Sequence, residues 1–216
     1  MNDQQLREAP NELLQSLLSG NRMQCSGLVH KYLEEKVSII DIYDEIIRKA
    51  LYEVGYLWEY NKISVSTENI ASAIIEALLN ELYPDIISEK RINKKVVVAC
   101  VENELHQIGV KMIGDVFEMH GWNAYFLGSD THVRELLVYI KMINPDMLAL
   151  SLSICIHLPR LEAMIRAIRA EYPTLPILVG GQAFSRGGTE VLEKFENVIF
   201  KPDLHSTEQY IINYTK

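Results

Sequence analysis

The amino-acid sequence predicts an α/β protein: an N-terminal four-helix bundle followed by a five-stranded, doubly wound parallel sheet of the Rossmann-like or flavodoxin-like kind. Three observations carry that expectation. Residues 10 to 88 place apolar side chains at helical spacing throughout. From residue 96 onward, short apolar runs alternate with amphipathic stretches, the pattern of βαβ units. Between the two lies Ser88-Glu89-Lys90-Arg91-Ile92-Asn93-Lys94-Lys95, which has neither period.

In the first part, Leu13, Leu14, Leu17 and Leu18 mark one helix, and Leu28, Val29 and Leu33 mark the next. Ser38 is placed to cap a long third helix running to about Tyr60, with Ile42, Ile46, Ile47, Ala50, Leu51, Val54 and Leu57 on its buried side. Asn61-Lys62 interrupts it. Ser64 or Ser66 then caps a fourth helix, whose stripe of Ile70, Ala73, Ile74, Ala77, Leu78 and Leu82 runs to Pro84. Four helices joined by short turns make a small bundle, assigned to residues 1–88. Residues 89–95 are read as a linker because they cannot bury a face. In residues 96–216, strands are expected at 96–100, 123–127, 147–152, 176–179 and 197–200, and helices at 108–120, 131–143, 158–171, 187–195 and 204–214.

Composition narrows the function classes. The chain has 21 basic and 29 acidic side chains and a net charge of −8, with no dense basic patch, which argues against direct nucleic-acid binding. Its 3 cysteines, Cys25, Cys100 and Cys155, are odd in number and lie mostly in apolar stretches, so they read as reduced core residues rather than a disulfide frame or a zinc site. The N-terminus, Met1-Asn2-Asp3-Gln4-Gln5, lacks an apolar signal region, and no apolar run approaches the roughly 20 residues of a membrane span. A cytoplasmic protein without a membrane segment is expected.

The chemistry gathers at the predicted carboxyl ends of the strands, where open α/β sheets bind their ligands. Glu104-Leu105-His106-Gln107-Ile108-Gly109 follows the first apolar run, Ser151-Leu152-Ser153 ends the third, and Gly180-Gly181 ends the fourth. A loop histidine alone is more often a surface residue than a ligand. Here Glu104 can take the proton on one ring nitrogen and make the other a better donor to a metal, while Gly109 lets the following helix approach a ligand closely. One nitrogen donor and no cysteine cluster nearby argue against a protein-built zinc tetrahedron, so the metal is expected to arrive already chelated. No G-x-G-x-x-G turn follows the first strand, which argues against a dinucleotide site. By themselves, Gly180-Gly181 also fits a strand-ending turn, and Ser151 a cap.

Those three motifs, in that order and spacing, resemble the fingerprints of cobalamin-binding domains. The resemblance implies that His106 replaces the cofactor's dimethylbenzimidazole as the lower cobalt ligand, base-off and His-on. It also implies that Ser151 and Ser153 lie along the detached nucleotide tail and that Gly180 and Gly181 leave room for it. The helical part resembles the cap that covers the corrin in methyltransferase-type and sensor-type members, so the likeness spans about residues 12 to 204.

Within the cap, Gly55-Tyr56-Leu57-Trp58-Glu59 followed by Ile63-Ser64-Val65-Ser66-Thr67-Glu68-Asn69 is similar to light-dependent cobalamin repressors of the carotenoid-regulator type. Trp58 and Glu68 match the residues that line the upper ligand, often an adenosyl group; Asn69 stands where that group has a histidine. Glu59 follows the tryptophan where some photosensors have another, so a second histidine ligand is not expected. Methyltransferase subunits carry Asp-x-His-x-x-Gly-Lys-Asn, whereas this chain has Glu104 and Val110-Lys111, and Leu127-Gly128-Ser129-Asp130-Thr131 is also similar to the sensor group.

The resemblance thus implies a non-enzymatic sensor or photoreceptor that binds adenosylcobalamin or methylcobalamin. No helix-turn-helix precedes the cap, so it is expected to act through a protein partner or as a homo-oligomer. The alternatives are a corrinoid methyl-carrier subunit of a methyltransferase system and a haem- or tetrapyrrole-binding relative. His132 and His157, at the starts of helices near the rim, are expected on the surface.

Overall fold

Helical periodicity and strand alternation become two separate units, divided after Ile86. The computed structural model describes residues 3–215. In the first unit, α1 (Asp3–Leu18) and α2 (Arg22–Glu34) are followed by a helix that begins as α3 (Ile39–Asp41), passes through the π-helical segment Ile42–Ile47 and continues as α4 (Arg48–Glu59); α5 (Val65–Ile86) completes the unit. Each cap is a side-chain acceptor for an orphan backbone N–H. Asn21 Oδ1 accepts from Gln24 N at 3.1 Å, Ser38 Oγ from Asp41 N at 3.1 Å and Ser64 Oγ from Thr67 N at 3.1 Å, which selects Ser64 over Ser66.

The π turn brings Ile42, Tyr43, Ile46 and Ile47 all inside, where they join Leu13, Leu17, Ile75, Leu78 and Leu79 in a fully buried core. The stripe of α5 is Ala71, Ile74, Ile75, Leu78, Leu79 and Leu82. Ile70 and Ala73, expected in that stripe, lie one position before its buried line and are exposed.

The second unit alternates β1 (Lys95–Cys100), α6 (Ile108–Met119), β2 (Asn123–Gly128), α7 (Val133–Ile143), β3 (Met147–Ser151), α8 (Leu158–Glu171), β4 (Ile177–Gly180), β5 (Val198–Phe200) and α9 (Leu204–Tyr214). The five strands are parallel in the order β2-β1-β3-β4-β5. Central strands of such a sheet are covered on both faces, which is why β1 and β3 read as unbroken apolar runs. Val97, Ala99, Leu148, Leu150, Ile177 and Val179 form the middle of its core.

Two expectations are corrected. The stretch 187–195 is not an α-helix: it holds the 3-10 segment Thr189–Lys194, which follows another, Gln182–Arg186. Gly187 and Gly188 between them have φ of +101° and +97°, which no right-handed helix can absorb.

The charged stretch 88–95 is fastened to the sheet unit rather than loose. Ser88 N donates to Glu118 O and Ile92 N to Gly121 O, while the Arg91 guanidinium pairs with Glu118 and donates to Trp122 O at 2.6 Å. Asp146 accepts from Lys94 Nζ at 2.8 Å and from Lys95 N at 2.9 Å. Hydrophobic periodicity is blind to such backbone and ionic ties. No helix among the described residues is long and apolar enough to cross a membrane.

Gly121 has φ +79°, and a Cβ there would lie 2.2 Å from Lys90 O. Gly121→Ala is therefore expected to destabilise the protein by about 2 kcal/mol or more, seen as a lower urea midpoint with an unchanged slope.

Candidate functional site

The strand order turns back between β1 and β3, and that switch point is where an open parallel sheet leaves a crevice at its carboxyl edge. Cys100 pairs with Ser151 at the ends of β1 and β3, and Ser151 pairs with Gly180 at the end of β4. The residues singled out in the second unit, Glu104, His106, Gly109, Ser151, Ser153, Gly180 and Gly181, thus issue from three adjacent strand ends.

Glu104 is the centre of this rim and is fully buried. Its Oε1 accepts from the backbone N of His106 at 3.2 Å and pairs with His106 Nδ1; its Oε2 accepts from Ser153 N and Ile154 N, each at 2.9 Å. One carboxylate therefore joins the loop after β1 to the loop after β3. Burial alone would raise its pKa, but the His106 ring and the three backbone donors outweigh it and hold the carboxyl at about 2. Burial also pushes the Cys100 thiol up to about 12, with the Glu104 charge adding to it, so this cysteine is inert packing.

The His106 ring stands out from the rim with its side chain 53% exposed. A carboxylate against Nδ1 favours the tautomer that carries its proton on that nitrogen, the arrangement common to histidines that coordinate a metal through Nε2. Leu105 and Ile156, on the two loops that Glu104 joins, are 70% and 78% exposed. Exposed apolar side chains beside such an imidazole suit a flat, largely apolar chelate.

The loop after β2 is tied to the same place. Asp130 N donates to Glu104 O at 2.8 Å, Asp130 Oδ1 accepts from Asn103 N at 2.8 Å, and Ser129 N donates to Gln107 Oε1 at 3.3 Å. Neither Asp130 nor Gln107 carried a signal that periodicity or metal-ligand spacing could reveal.

Two features test whether the site fits a cofactor with a tail. A Cβ on Gly109 would meet Ser151 Oγ at 3.9 Å, an ordinary contact distance, so there is room for little more than a side-chain methyl between α6 and the end of β3 before Ser151 is reached. Ser151 is buried, and its hydroxyl is the atom that faces Gly109. A polar atom left in such a gap fits a polar ligand running past it. Gly180 and Gly181 answer first to the chain itself: a Cβ there would lie 2.9 Å from Lys201 O and 2.2 Å from Leu152 O. Ser153 serves the carboxylate through its backbone N–H.

His132 is exposed and pairs with Glu102 at 3.3 Å, as a surface residue would. His157 is partly exposed, and its Nδ1 is buried, 3.7 Å from Glu104 Oε2. In the helical unit, Trp58 ends α4 with 47% exposure, so it is not a core tryptophan. Glu68, in the first turn of α5, accepts from Ser72 Oγ at 2.9 Å, and Asn69 beside it is exposed.

Comparison with known proteins agrees with this geometry. A family described as the B12 binding domain matches residues 94–203, and a second with the same description matches residues 10–83. The chain is 28% identical over 158 residues to the HTH-type transcriptional repressor CarA of Myxococcus xanthus, covering 71% of this chain and 52% of that protein. It therefore spans about half the length of that repressor. It is 22% identical over 177 residues to a corrinoid protein of Desulfitobacterium hafniense, covering 79% of this chain and 82% of the relative. Its fold matches the structure of the Methanosarcina barkeri monomethylamine corrinoid protein with a TM-score of 0.81, at 14% identity, over 99% of this chain and 100% of the other.

Because the folded pKa of Glu104 lies at about 2 against an ordinary 4.5, its stabilising effect is complete above pH 4.5 and is lost as pH falls towards 2. Glu104→Gln in the apoprotein is expected to cost on the order of 3 kcal/mol at neutral pH, with the gap to wild type closing as pH drops through that window. Urea unfolding at stepped pH reads this directly; a gap independent of pH would contradict it.

Proposed function

The chain belongs to the B12 binding domain family, and on that footing we propose that it holds cobalamin base-off, with His106 as the lower cobalt ligand, and works as a light- or cobalamin-responsive regulator. The observation that carries the coordination is the buried Glu104 carboxylate at His106 Nδ1, which leaves the lone pair on Nε2 of a ring that stands out from the rim. Gly109, Ser151, Ser153, Gly180 and Gly181 would flank the displaced nucleotide tail.

Bound cobalamin supplies a cobalt–carbon bond that light or a methyl acceptor can break. The protein's own part is to fix the His106 ring, to keep water from the carboxylate behind it and to meet the corrin with Leu105, Ile154 and Ile156. Trp58, Glu68 and Asn69 are the helical unit's candidates for contact with the upper ligand. Loss of an upper group would shift the protein's conformational balance only if the chain contacts the two cofactor states differently, and Trp58 is the candidate for that contact.

Support for the regulatory role comes from Glu104 in place of aspartate, from the Trp58 and Glu68 spacing and from the similarity to CarA. The net charge of −8 favours output through a protein partner or self-association over direct contact with nucleic acid. A second reading, a methyl carrier that works with methyltransferase partners, is favoured by the relatives named as corrinoid proteins, one of which is matched over 82% of its length.

His106→Ala is expected to lower cobalamin affinity by roughly tenfold or more and to abolish the histidine-coordinated visible spectrum. Dark and illuminated spectra of adenosylcobalamin-loaded protein, with oligomer size followed in parallel, test the regulatory role. A light-dependent change in both is expected; efficient methyl transfer from the methylcobalamin form to a thiol or folate, with no response to light, would favour the carrier instead.

A further inference from the structure

α4 buries Ala50 and Val54 and turns its other side to solvent. There Tyr52, Tyr56 and Tyr60 recur every four residues, so one stripe of tyrosines runs along the helix to the residue that caps its end. Tyr56 and Tyr60 are 51% and 57% exposed, and their rings lie against each other with centroids 4.5 Å apart. Tyr52, one turn earlier, is half-buried and carries the Arg48 guanidinium over its ring, 5.4 Å from the centroid. An apolar side chain standing alone in water needs no explanation, but paired aromatic rings on one stripe mark a contact surface, where tyrosine and arginine are enriched.

Charge selects the kind of partner. In residues 1–86 acidic side chains outnumber basic ones two to one, whereas residues 87–216 are almost balanced, so nearly all of the net charge of −8 belongs to the helical unit. Glu53 and Glu59 flank the stripe and are exposed, and Lys49, a cation on the same side, is already paired with Glu45. A second copy would bring like charges together, and nucleic acid would be repelled. We propose that this face of α4 docks a basic helix of a partner protein, with that helix's arginines over the Tyr56 and Tyr60 rings and beside the Glu53 and Glu59 carboxylates. The ring faces set where a cation sits; the carboxylates and the charge of the whole unit draw it in. Arg48 over Tyr52 is the same contact made within the chain. The inference rests on the reading that the chain works with a protein partner, and it does not depend on the lower cobalt ligand.

The test uses the full chain loaded with adenosylcobalamin and, as the probe, a fluorescein-labelled, alanine-based helical peptide with arginine at every fourth position, followed by fluorescence anisotropy. A peptide with glutamine in place of arginine is the neutral control. The arginine peptide is expected to bind and the glutamine peptide not to. Tyr56→Ala with Tyr60→Ala, which leaves the charge untouched, is expected to weaken binding roughly tenfold, whereas Tyr56→Phe with Tyr60→Phe, which keeps the ring faces, stays within about twofold of wild type. Should the alanine pair fail to fold, Tyr60→Ala alone takes its place. Affinity unchanged by loss of the rings, or lost equally in the phenylalanine pair, overturns the proposal. So does a sedimentation profile in which the wild type self-associates and the alanine pair does not. The regulatory role is judged apart from this: peptide binding through the tyrosines with no response to light upholds the surface and defeats that role, and a light response without peptide binding does the reverse.

Discussion

The site depends on one buried negative charge. A fully buried carboxylate is tolerated only when its oxygens are supplied with donors, and Glu104 obtains them from two loops that follow different strands. The loop after β1 and the loop after β3 are therefore not independent: each satisfies the same group. The third loop adds to this through Asp130, whose backbone N–H is bonded to Glu104 O. The sheet sets where the strand ends lie, the carboxylate sets how the loops meet, and the exposed His106 ring inherits its orientation from both.

Much of this was legible in the sequence, for physical reasons. Five apolar runs separated by helical patterns point to a parallel sheet, because its central strands must be covered on both faces. The Glu104 and His106 pair was visible because two residues of separation at a strand end puts a carboxylate within reach of a ring nitrogen. What stayed hidden was what hydrophobicity does not encode. The ties of Arg91, Lys94 and Lys95 are ionic or made by backbone, the break between the 3-10 segments at Gly187 and Gly188 goes with their positive φ values, and the buried Nδ1 of His157 follows from a turn whose neighbours are far apart in the chain.

Glycine gives a similar lesson in two forms. At Gly181 the missing side chain answers to a neighbouring backbone carbonyl, so the fold alone demands it. At Gly109 the nearest atom to a Cβ is a hydroxyl at ordinary contact distance, and the fold makes no such demand. The two motifs look alike as letters. Only the surroundings separate a glycine that lets the chain close on itself from one that keeps a gap open.

The π-helical stretch between Ser38 and α4 bears on the helical unit in its own way. A π turn holds one residue more than the α-helix around it needs, so the angular phase of every later side chain is offset from what the Ser38 cap would dictate. Deleting a single residue from Ile42–Ile47 would relax that turn and leave α4 facing the same way, whereas the same residues wound as plain α-helix would swing α4 about its axis by about 100°. The azimuth of Trp58 on its helix is thus written some dozen residues upstream of the tryptophan itself, in a stretch whose side chains are almost all out of sight of solvent.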